Sequence, residues 1–232
     1  MCRHFLFYQY HIIVIYFTHM MKQFRLDQLA DSIFAIVMTI LVFDIRVPEF
    51  TGVITNGTLM HSLINMYPLF LSYLLSFSLL FTYWRSHHFI ASVLAKNIDT
   101  KFANLNGIFF FLVGLVPFSS HLLGIYIHTQ TSTIFFAVNI IIIGFSLFAM
   151  RSYAIKSQTI ENTPFTKTEN EHAHMHILFP VISAILAIIV SFISINLALV
   201  LFTLAILFNL SNKGTSYVFF FINLFRKKEK SI

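Results

Sequence analysis

The chain has 232 residues and a net charge of +6, with 57% hydrophobic and only 10% charged residues. Soluble domains carry about 25% charged residues, so this composition excludes an ordinary soluble domain and indicates an integral membrane protein. The positive residues lie at the ends of apolar stretches, where they set topology, so they do not indicate nucleic-acid binding. The single cysteine, Cys2, excludes an internal disulfide and a cysteine metal site.

The first twenty residues form an N-terminal extension. Its segment Phe5–Phe17 is apolar and aromatic but too short to span a bilayer, and no small-residue cleavage site of a signal peptide follows it. Met20 and Met21 stand directly before the first long apolar stretch, which favours a mis-assigned start codon. An interfacial amphipathic segment is the alternative.

Residues 21–212 contain six apolar stretches that predict an all-α membrane domain with six transmembrane helices. They are Leu29–Val47, Leu63–Trp84, Ala103–Ser120, Thr133–Tyr153, Ile177–Ile193 and Ile195–Leu210. A loop-like segment, 119–133, divides the uncharged run that contains the third and fourth. The last two share a run of about 41 residues, which would make about 60 Å of helix against roughly 30 Å of hydrocarbon. A break near Ser191–Asn196 is therefore expected.

Lysine and arginine are distributed unequally between the two sides of these spans. Only Arg46 falls on one side, and the other side carries Lys22, Arg25, Arg85, Lys96, Lys101, Arg151, Lys156, Lys167 and the basic tail 213–232. The positive-inside rule places the basic side in the cytoplasm, so both termini are predicted to be cytoplasmic. The tail is aromatic and then basic, as expected of a helix lying on anionic lipid. The spans and this charge distribution together predict a multi-pass protein of the cell membrane.

The segment Arg25–Pro48 carries the most information. On a helix, its residues Ile36, Ile40, Phe43 and Val47 form one apolar stripe with Thr39 beside it. Asp31 lies on nearly the opposite face, with Met38 and Val42. An apolar stripe alone is most often a packing or lipid-facing surface. A carboxylate near the end of a span is costly unless it is paired, and Arg25 and the stretch 84–88 are its candidate partners.

This segment resembles the first-helix signature of the transmembrane protein 175 family. The residues that carry the resemblance are Arg25, Leu29-Ala30-Asp31, Phe34-Ala35-Ile36, the run 39–45 and Pro48. Supporting similarities are Tyr83-Trp84-x-x-His87-His88 in the second span and Asn106 and Pro117-Phe118 in the third. The chain departs from the family pattern at Leu29-Ala30, where Phe-Ser is usual, at Ser32, where Gly is common, and at Phe43, where Leu is commoner.

The resemblance implies a potassium-preferring, leak-like cation channel. In that family, whose animal member is the endosomal and lysosomal potassium channel, four subunits surround one pore and the first helix of each lines it. The resemblance then makes Ile36, Ile40 and Phe43 stacked apolar rings that form a hydrophobic constriction, with Thr39 as a polar layer. It makes Arg25, Asp31, Trp84 and His88 a structural polar network.

The implied partners are potassium ions, the lipid bilayer and three further copies of the chain, without nucleic acid, cofactor or enzymatic activity. A secondary transporter of a small ion or solute is the alternative function. Transporters usually place ionisable groups near the bilayer midplane and often contain internal repeats, and neither feature is found here. His172, His174 and His176 alternate in a stretch that is expected to continue as a helix, so no metal site is predicted.

Overall fold

The computed structural model describes residues 24–50, 52–161 and 167–210, with side chains described in 24–50, 52–161 and 174–205. These residues form helices and connecting loops, without a β-sheet in the described ranges. The N-terminal extension 1–20 and the basic tail 213–232 lie outside the described residues.

Eight helices follow one another along these described ranges. They are α1 (Phe24–Asp44, with its last turn Leu41–Asp44 in 3-10 geometry), α2 (Asn56–Asn65), α3 (Tyr67–His88, continued by the π-helical segment Phe89–Leu94), α4 (Thr100–Gly114), α5 (Val116–Ile125), α6 (Gln130–Lys156), α7 (Lys167–Ser191) and α8 (Ile195–Leu210).

Five helical segments are long and apolar enough to cross a membrane. They are Phe24–Asp44, Tyr67–Leu94, Thr100–Ile125, Gln130–Lys156 and His174–Ser191. The helix α8 has the predicted bounds, but its 16 residues make only about 24 Å of helix. The protein is thus an all-helical membrane protein with five candidate spans in the described residues, and the sixth span remains a prediction.

The predicted second span, Leu63–Trp84, is wrong at both ends. Leu63 belongs to α2, a separate short helix that begins with a capping box between Thr55 and Thr58. A new helix starts at Tyr67 because Pro68, which has no N–H to donate, occupies the first turn of α3. The other end of the helix extends ten residues beyond Trp84 through its π-helical segment.

The predicted division of the uncharged run is confirmed, but the loop is shorter than the predicted 119–133, because helix continues to Ile125 and only 126–129 lie between α5 and α6. The serines that suggested a loop are buried in α5 and have hydrogen-bond partners. Ser119 Oγ donates to Val116 O (3.0 Å), and Ser120 Oγ donates to Ser72 O of α3 (3.2 Å). Hydroxyls satisfied by backbone carbonyls are compatible with a membrane helix. The predicted break near Ser191–Asn196 is confirmed, since α7 ends at Ser191 and α8 begins at Ile195.

The helix α6 packs against α4, α5 and α7 and contributes much of the buried core. Its Gly144 allows close approach to α7, because a Cβ there would clash with Val181 Cγ2. Small residues at such crossings let membrane helices pack closely without a hydrophobic driving force. The core therefore holds α3–α8 together as the body against which α1 docks.

The connections after α3 and after α6 are joined by a polar clasp, which we define as residues 96–99 and 157–161. Asp99 caps α4 by accepting from Phe102 N–H (2.7 Å), and it also accepts from the hydroxyls of Thr159 (2.6 Å) and Tyr153. Asn97 bonds to Thr159 O (2.8 Å) and accepts from Glu161 N–H (2.7 Å). The clasp ties two connections at the end of the bundle where α1 begins.

Candidate pore-lining helix

The helix α1 docks on the bundle through one face only. Its buried residues are Ala30, Phe34, Val37 and Leu41, which recur every three or four positions and so share one side of the helix. Phe34, only 1% exposed, is the largest of them, and its ring lies 6.3 Å from that of His87 and 5.9 Å from that of Phe109. Phe34 therefore inserts between α3 and α4.

A buried hydrogen-bonded pair lies behind Phe34. His87 Nε2 is 2.7 Å from Asn106 Oδ1, and Asn106 Nδ2 donates to Phe102 O (2.8 Å). Since the amide nitrogen of Asn106 is used as a donor, its oxygen accepts, and Nε2 of His87 carries the proton. The imidazole stacks on Phe109, with ring centres 5.1 Å apart and planes 4° apart. The pair joins α3 to α4 at the place where α1 docks.

Three of the four residues predicted to form a polar network are brought together. Trp84 Nε1 donates to Asp31 Oδ1 (2.8 Å), and the ring of His88 stacks on the indole at 6.0 Å. Ser92 Oγ extends the group, 3.3 Å from His88 Nδ1. Arg25 is exposed and forms no ion pair with any residue in the described ranges. Asp31 is thus bound to α3 through Trp84.

Sequence reasoning missed Asp27. The charge of Asp27 interacts with those of His88 and Asp31, so it belongs to the same polar group. Its position four residues before Asp31, on the same helix face, was the available signal. His87 was predicted only as one of the candidate partners of Asp31, and its pairing with Asn106 was not predicted because it depends on how α3 is rotated against α4.

The predicted pore-lining stripe is left uncovered by its own subunit. Ile36 is 56% exposed, Ile40 43% and Phe43 73%. These values contrast with the 1% exposure of Phe34 and Leu41 on the docked face. In a membrane, such a stripe meets lipid, a neighbouring subunit or a pore.

Thr39 lies among these residues, and its hydroxyl is bonded within its own helix. Oγ1 is 2.9 Å from Ala35 O and 2.8 Å from Ile36 O, so its single proton is shared between two backbone carbonyls. Because the proton points back to the helix, the lone pairs of Oγ1 project away from it. An exposed oxygen oriented in this way suits a cation rather than an anion.

The two residues predicted opposite the stripe differ from each other. Met38 is partly buried and packs against the core, whereas Val42 is 46% exposed. Val42 therefore matches Ile40 in exposure but lies on another face of α1. It serves as a control for substitutions in the stripe.

The histidines of α7 do not form a metal site with other residues in the described ranges, where no group of three or more metal-ligating side chains is found. His174 lies on the helix with its ring 5.7 Å from that of Phe148. The side chain of His172 is outside the described residues. Alternate positions on a helix point about 200° apart, which separates His174 from His176.

Comparison with known proteins shows which family this region resembles. Residues 25–117, which include α1 and its docking partners on α3 and α4, match the family model described as endosomal/lysosomal potassium channel TMEM175. The chain is also similar to a crystal structure of a lysosomal potassium-selective channel TMEM175 homolog from Chamaesiphon minutus. That likeness has a TM-score of 0.66 at 28% identity and covers 82% of this chain and 99% of that one.

Three curated relatives are bacterial proteins named as potassium channels. The chain is 40% identical over 107 residues to one from Chamaesiphon minutus (46% of this chain, 52% of the relative), and 32% identical over 109 residues to one from Streptomyces collinus (47% and 51%). It is 32% identical over 105 residues to one from a Chryseobacterium species (45% and 50%). The chain thus spans about half the length of these relatives. Family model, relatives and fold agree that residues 25–117 are similar to the transmembrane protein 175 family.

Proposed function

We propose that this chain is the subunit of a potassium-preferring, leak-like cation channel in the cell membrane. Four copies surround one pore, and α1 of each copy lines it. The support from similarity is that the three curated relatives are named potassium channels and the matched crystal structure is titled a potassium-selective channel.

The observation that carries the proposal is the asymmetry of α1. One face is fixed to the bundle by Phe34 and the Asp31–Trp84 hydrogen bond, and another presents large apolar side chains that the subunit leaves bare. Around a fourfold axis, Ile36, Ile40 and Phe43 would form three stacked apolar rings. Such rings gate by dewetting, and ion preference then depends on the nearest oxygens, which Thr39 supplies.

The membrane arrangement proposed here has six spans, with both termini in the cytoplasm. Arg85 near the end of α3, Lys96 and Lys101 around the next connection and Lys156 at the end of α6 lie on one side, and Arg46 after α1 lies on the other. This distribution agrees with the positive-inside rule for an even number of spans. It requires α8 to cross, with tilt of its neighbours or local thinning of the bilayer compensating for its length.

The test is cation flux from liposomes that contain the purified protein. A channel passes potassium down its gradient in proportion to the driving force, with faster efflux of potassium than of sodium. Saturable flux that requires a second ion on the opposite side would instead establish a coupled transporter. Thr39→Val preserves side-chain volume and removes the hydroxyl, so it should lower the potassium-to-sodium ratio while total flux changes little.

A further inference from the structure

The short helix α2 has one apolar face and one polar face. Its sequence contains no Asp, Glu, Lys or Arg. At about 100° per residue, its four large apolar side chains fall within an arc of about 140°, and the polar ones lie opposite. The apolar face of α2 consists of Leu59, Met60, Leu63 and Ile64, and the polar face of Thr58, His61, Ser62 and Asn65.

The subunit leaves the apolar face of α2 bare. No residue of α2 is buried, and the side chains of Met60 and Ile64 are 59% and 61% exposed. The helix that α2 contacts most is the adjoining α3. A helix of ten residues is only marginally stable in water on its own, so α2 needs a partner that covers its apolar face.

The position of α2 along the chain places it beside the membrane. Only Met66 separates it from Tyr67–Leu94, a segment long and apolar enough to cross a bilayer. The chain bends at Met66, whose ψ of 2° departs from the helical value of about −42°. Tyr67 is exposed at the start of α3, where an aromatic ring suits the boundary between membrane and water. Since α2 is only about 15 Å long, it stays close to that boundary.

The apolar face of α2 continues a bare stripe of the membrane-crossing helix α3. Exposed apolar side chains recur there every three or four positions, so they share one side of the helix. They are Tyr67, Phe70, Leu74, Phe77 and Phe81. The same spacing extends back across Met66 to Ile64 and Met60. The two helices thus present one continuous apolar surface, and acyl chains that meet its α3 part also reach its α2 part.

We propose that α2 is an interfacial helix that lies on the bilayer surface on the side where α1 ends. Met60 and Ile64 reach the acyl chains just below the headgroups, and His61 and Asn65 face headgroups and water. The partner is a phospholipid surface of any headgroup charge, because α2 carries no cation that would select anionic lipid. This contact holds the connection between α1 and α3 at the membrane plane, whether or not the protein conducts ions.

The test uses the full chain in a Cys2→Ser background, reconstituted in phosphatidylcholine vesicles. A nitrobenzoxadiazole fluorophore is attached to Met60→Cys, Ile64→Cys or His61→Cys, and its emission is measured with and without phosphatidylcholine that carries a nitroxide near the headgroup end of its acyl chain. Quenching should be about threefold stronger at Met60→Cys and Ile64→Cys than at His61→Cys, since an interfacial helix buries its apolar face about 5–10 Å deep. His61→Cys is the matched control because it adjoins Met60 but lies on the polar face.

Three results of this measurement would overturn the inference. Equal quenching at the three positions would show that neither face of α2 prefers lipid. Blue-shifted emission at Met60→Cys that nitroxide lipid does not quench would show that a neighbouring subunit covers the face. Stronger quenching by a nitroxide at the end of the acyl chain than by one near the headgroup would show that α2 crosses the bilayer instead of lying on it.

A second variant tests whether the apolar face itself holds α2 in the membrane. Ile64→Asn removes part of that face, so quenching at Met60→Cys should fall about twofold. Asn65→Ala changes the adjoining residue of the polar face and should leave the quenching unchanged. A loss in both variants, or in neither, would contradict insertion through the apolar face. Because the readout is fluorescence, a protein that passes no potassium would disprove the channel and still give a decision on α2.

Discussion

The first half of α1 and its last turn are held by different kinds of interaction. In the first half, Asp31 is hydrogen-bonded to Trp84, and at the midpoint buried Phe34 packs on the His87–Asn106 pair. At the far end, the 3-10 turn is attached by Leu41 and by the partly exposed Asp44–His121 pair. A helix fixed up to its midpoint and lightly attached at its last turn can change that turn without unfolding. This property suits a helix whose far end narrows a pore.

The largest loss of stability is expected from removing the contact that Phe34 makes at the midpoint of α1. Phe34→Ala removes a fully buried ring and leaves a cavity between α3 and α4, which should lower the free energy of unfolding by about 3–5 kcal/mol. Phe43→Ala removes the same atoms from an exposed position. Equilibrium unfolding in detergent should therefore show a small effect for Phe43→Ala, and equal losses for the two variants would contradict the comparison.

A smaller loss is expected from Asn106→Ala. The substitution leaves the Nε2–H of His87 buried without its partner, at a cost of about 1–3 kcal/mol. Asn65→Ala is the control, because Asn65 also pairs with a histidine (Nδ2 to His61 Nδ1, 3.1 Å) but on exposed α2. Its effect on the unfolding midpoint should be negligible, and a comparable shift would show that the burial of the pair is unimportant.

Asp31→Asn should have a moderate effect of about 1–2 kcal/mol, because the amide oxygen still accepts from Trp84 but the charge is lost. The fraction of assembled protein by size-exclusion chromatography should fall, while the potassium-to-sodium ratio of the remaining channels stays at the wild-type value. An assembled variant with altered selectivity would show that Asp31 acts on ions rather than on the docking of α1.

The smallest effect concerns the clasp and is recognised by its loss in acid. Partial burial opposes ionisation of Asp99, but hydrogen bonds from Thr159, Tyr153 and Phe102 N–H, together with the charge of Lys101, lower the pKa of its carboxyl. A lowered pKa stabilises the folded state above the unfolded pKa of about 3.9, and this contribution is lost as pH falls through the folded value. Asp99→Asn should therefore reduce stability at pH 6 and flatten its decline below about pH 4. An unchanged acid profile in thermal unfolding would exclude Asp99 as a contributor.

Much of the fold followed from hydropathy, because long uncharged runs in a chain of this composition have few alternatives to membrane helices. The break between α7 and α8 was predictable because the uncharged run that contains them is too long for a single membrane-spanning helix. The start of α3 and the end of α5 could not be predicted in this way. Pro68 begins a new helix at α3, and in α5 the hydroxyls of Ser119 and Ser120 donate to backbone carbonyls, so the helix continues through them. A sequence shows that a serine is polar, but not that a carbonyl lies within its reach.

The site was predictable to the extent that it lies on one helix. The stripe of Ile36, Ile40 and Phe43 and the opposite position of Asp31 follow from helical period. The approach of the stretch 84–88 to Asp31 was expected because a carboxylate near the end of a span needs a partner, and the resemblance to a family pattern selected Trp84 and His88 within it. The pairs His87–Asn106 and Asp44–His121 join different helices, so they depend on how those helices are rotated, which neither period nor spacing encodes.

The central claim, that α1 lines the pore, is tested most directly by comparing Ile40→Asn with Val42→Asn. The two residues are similarly exposed, at 43% and 46%, but lie on different faces of the same helix. A polar residue in the constriction wets it, so potassium flux in liposomes should rise about tenfold for Ile40→Asn, equivalent to about 1.4 kcal/mol of barrier. Flux for Val42→Asn should stay within about twofold of wild type. Equal flux in the two variants would contradict a pore lined by this face of α1.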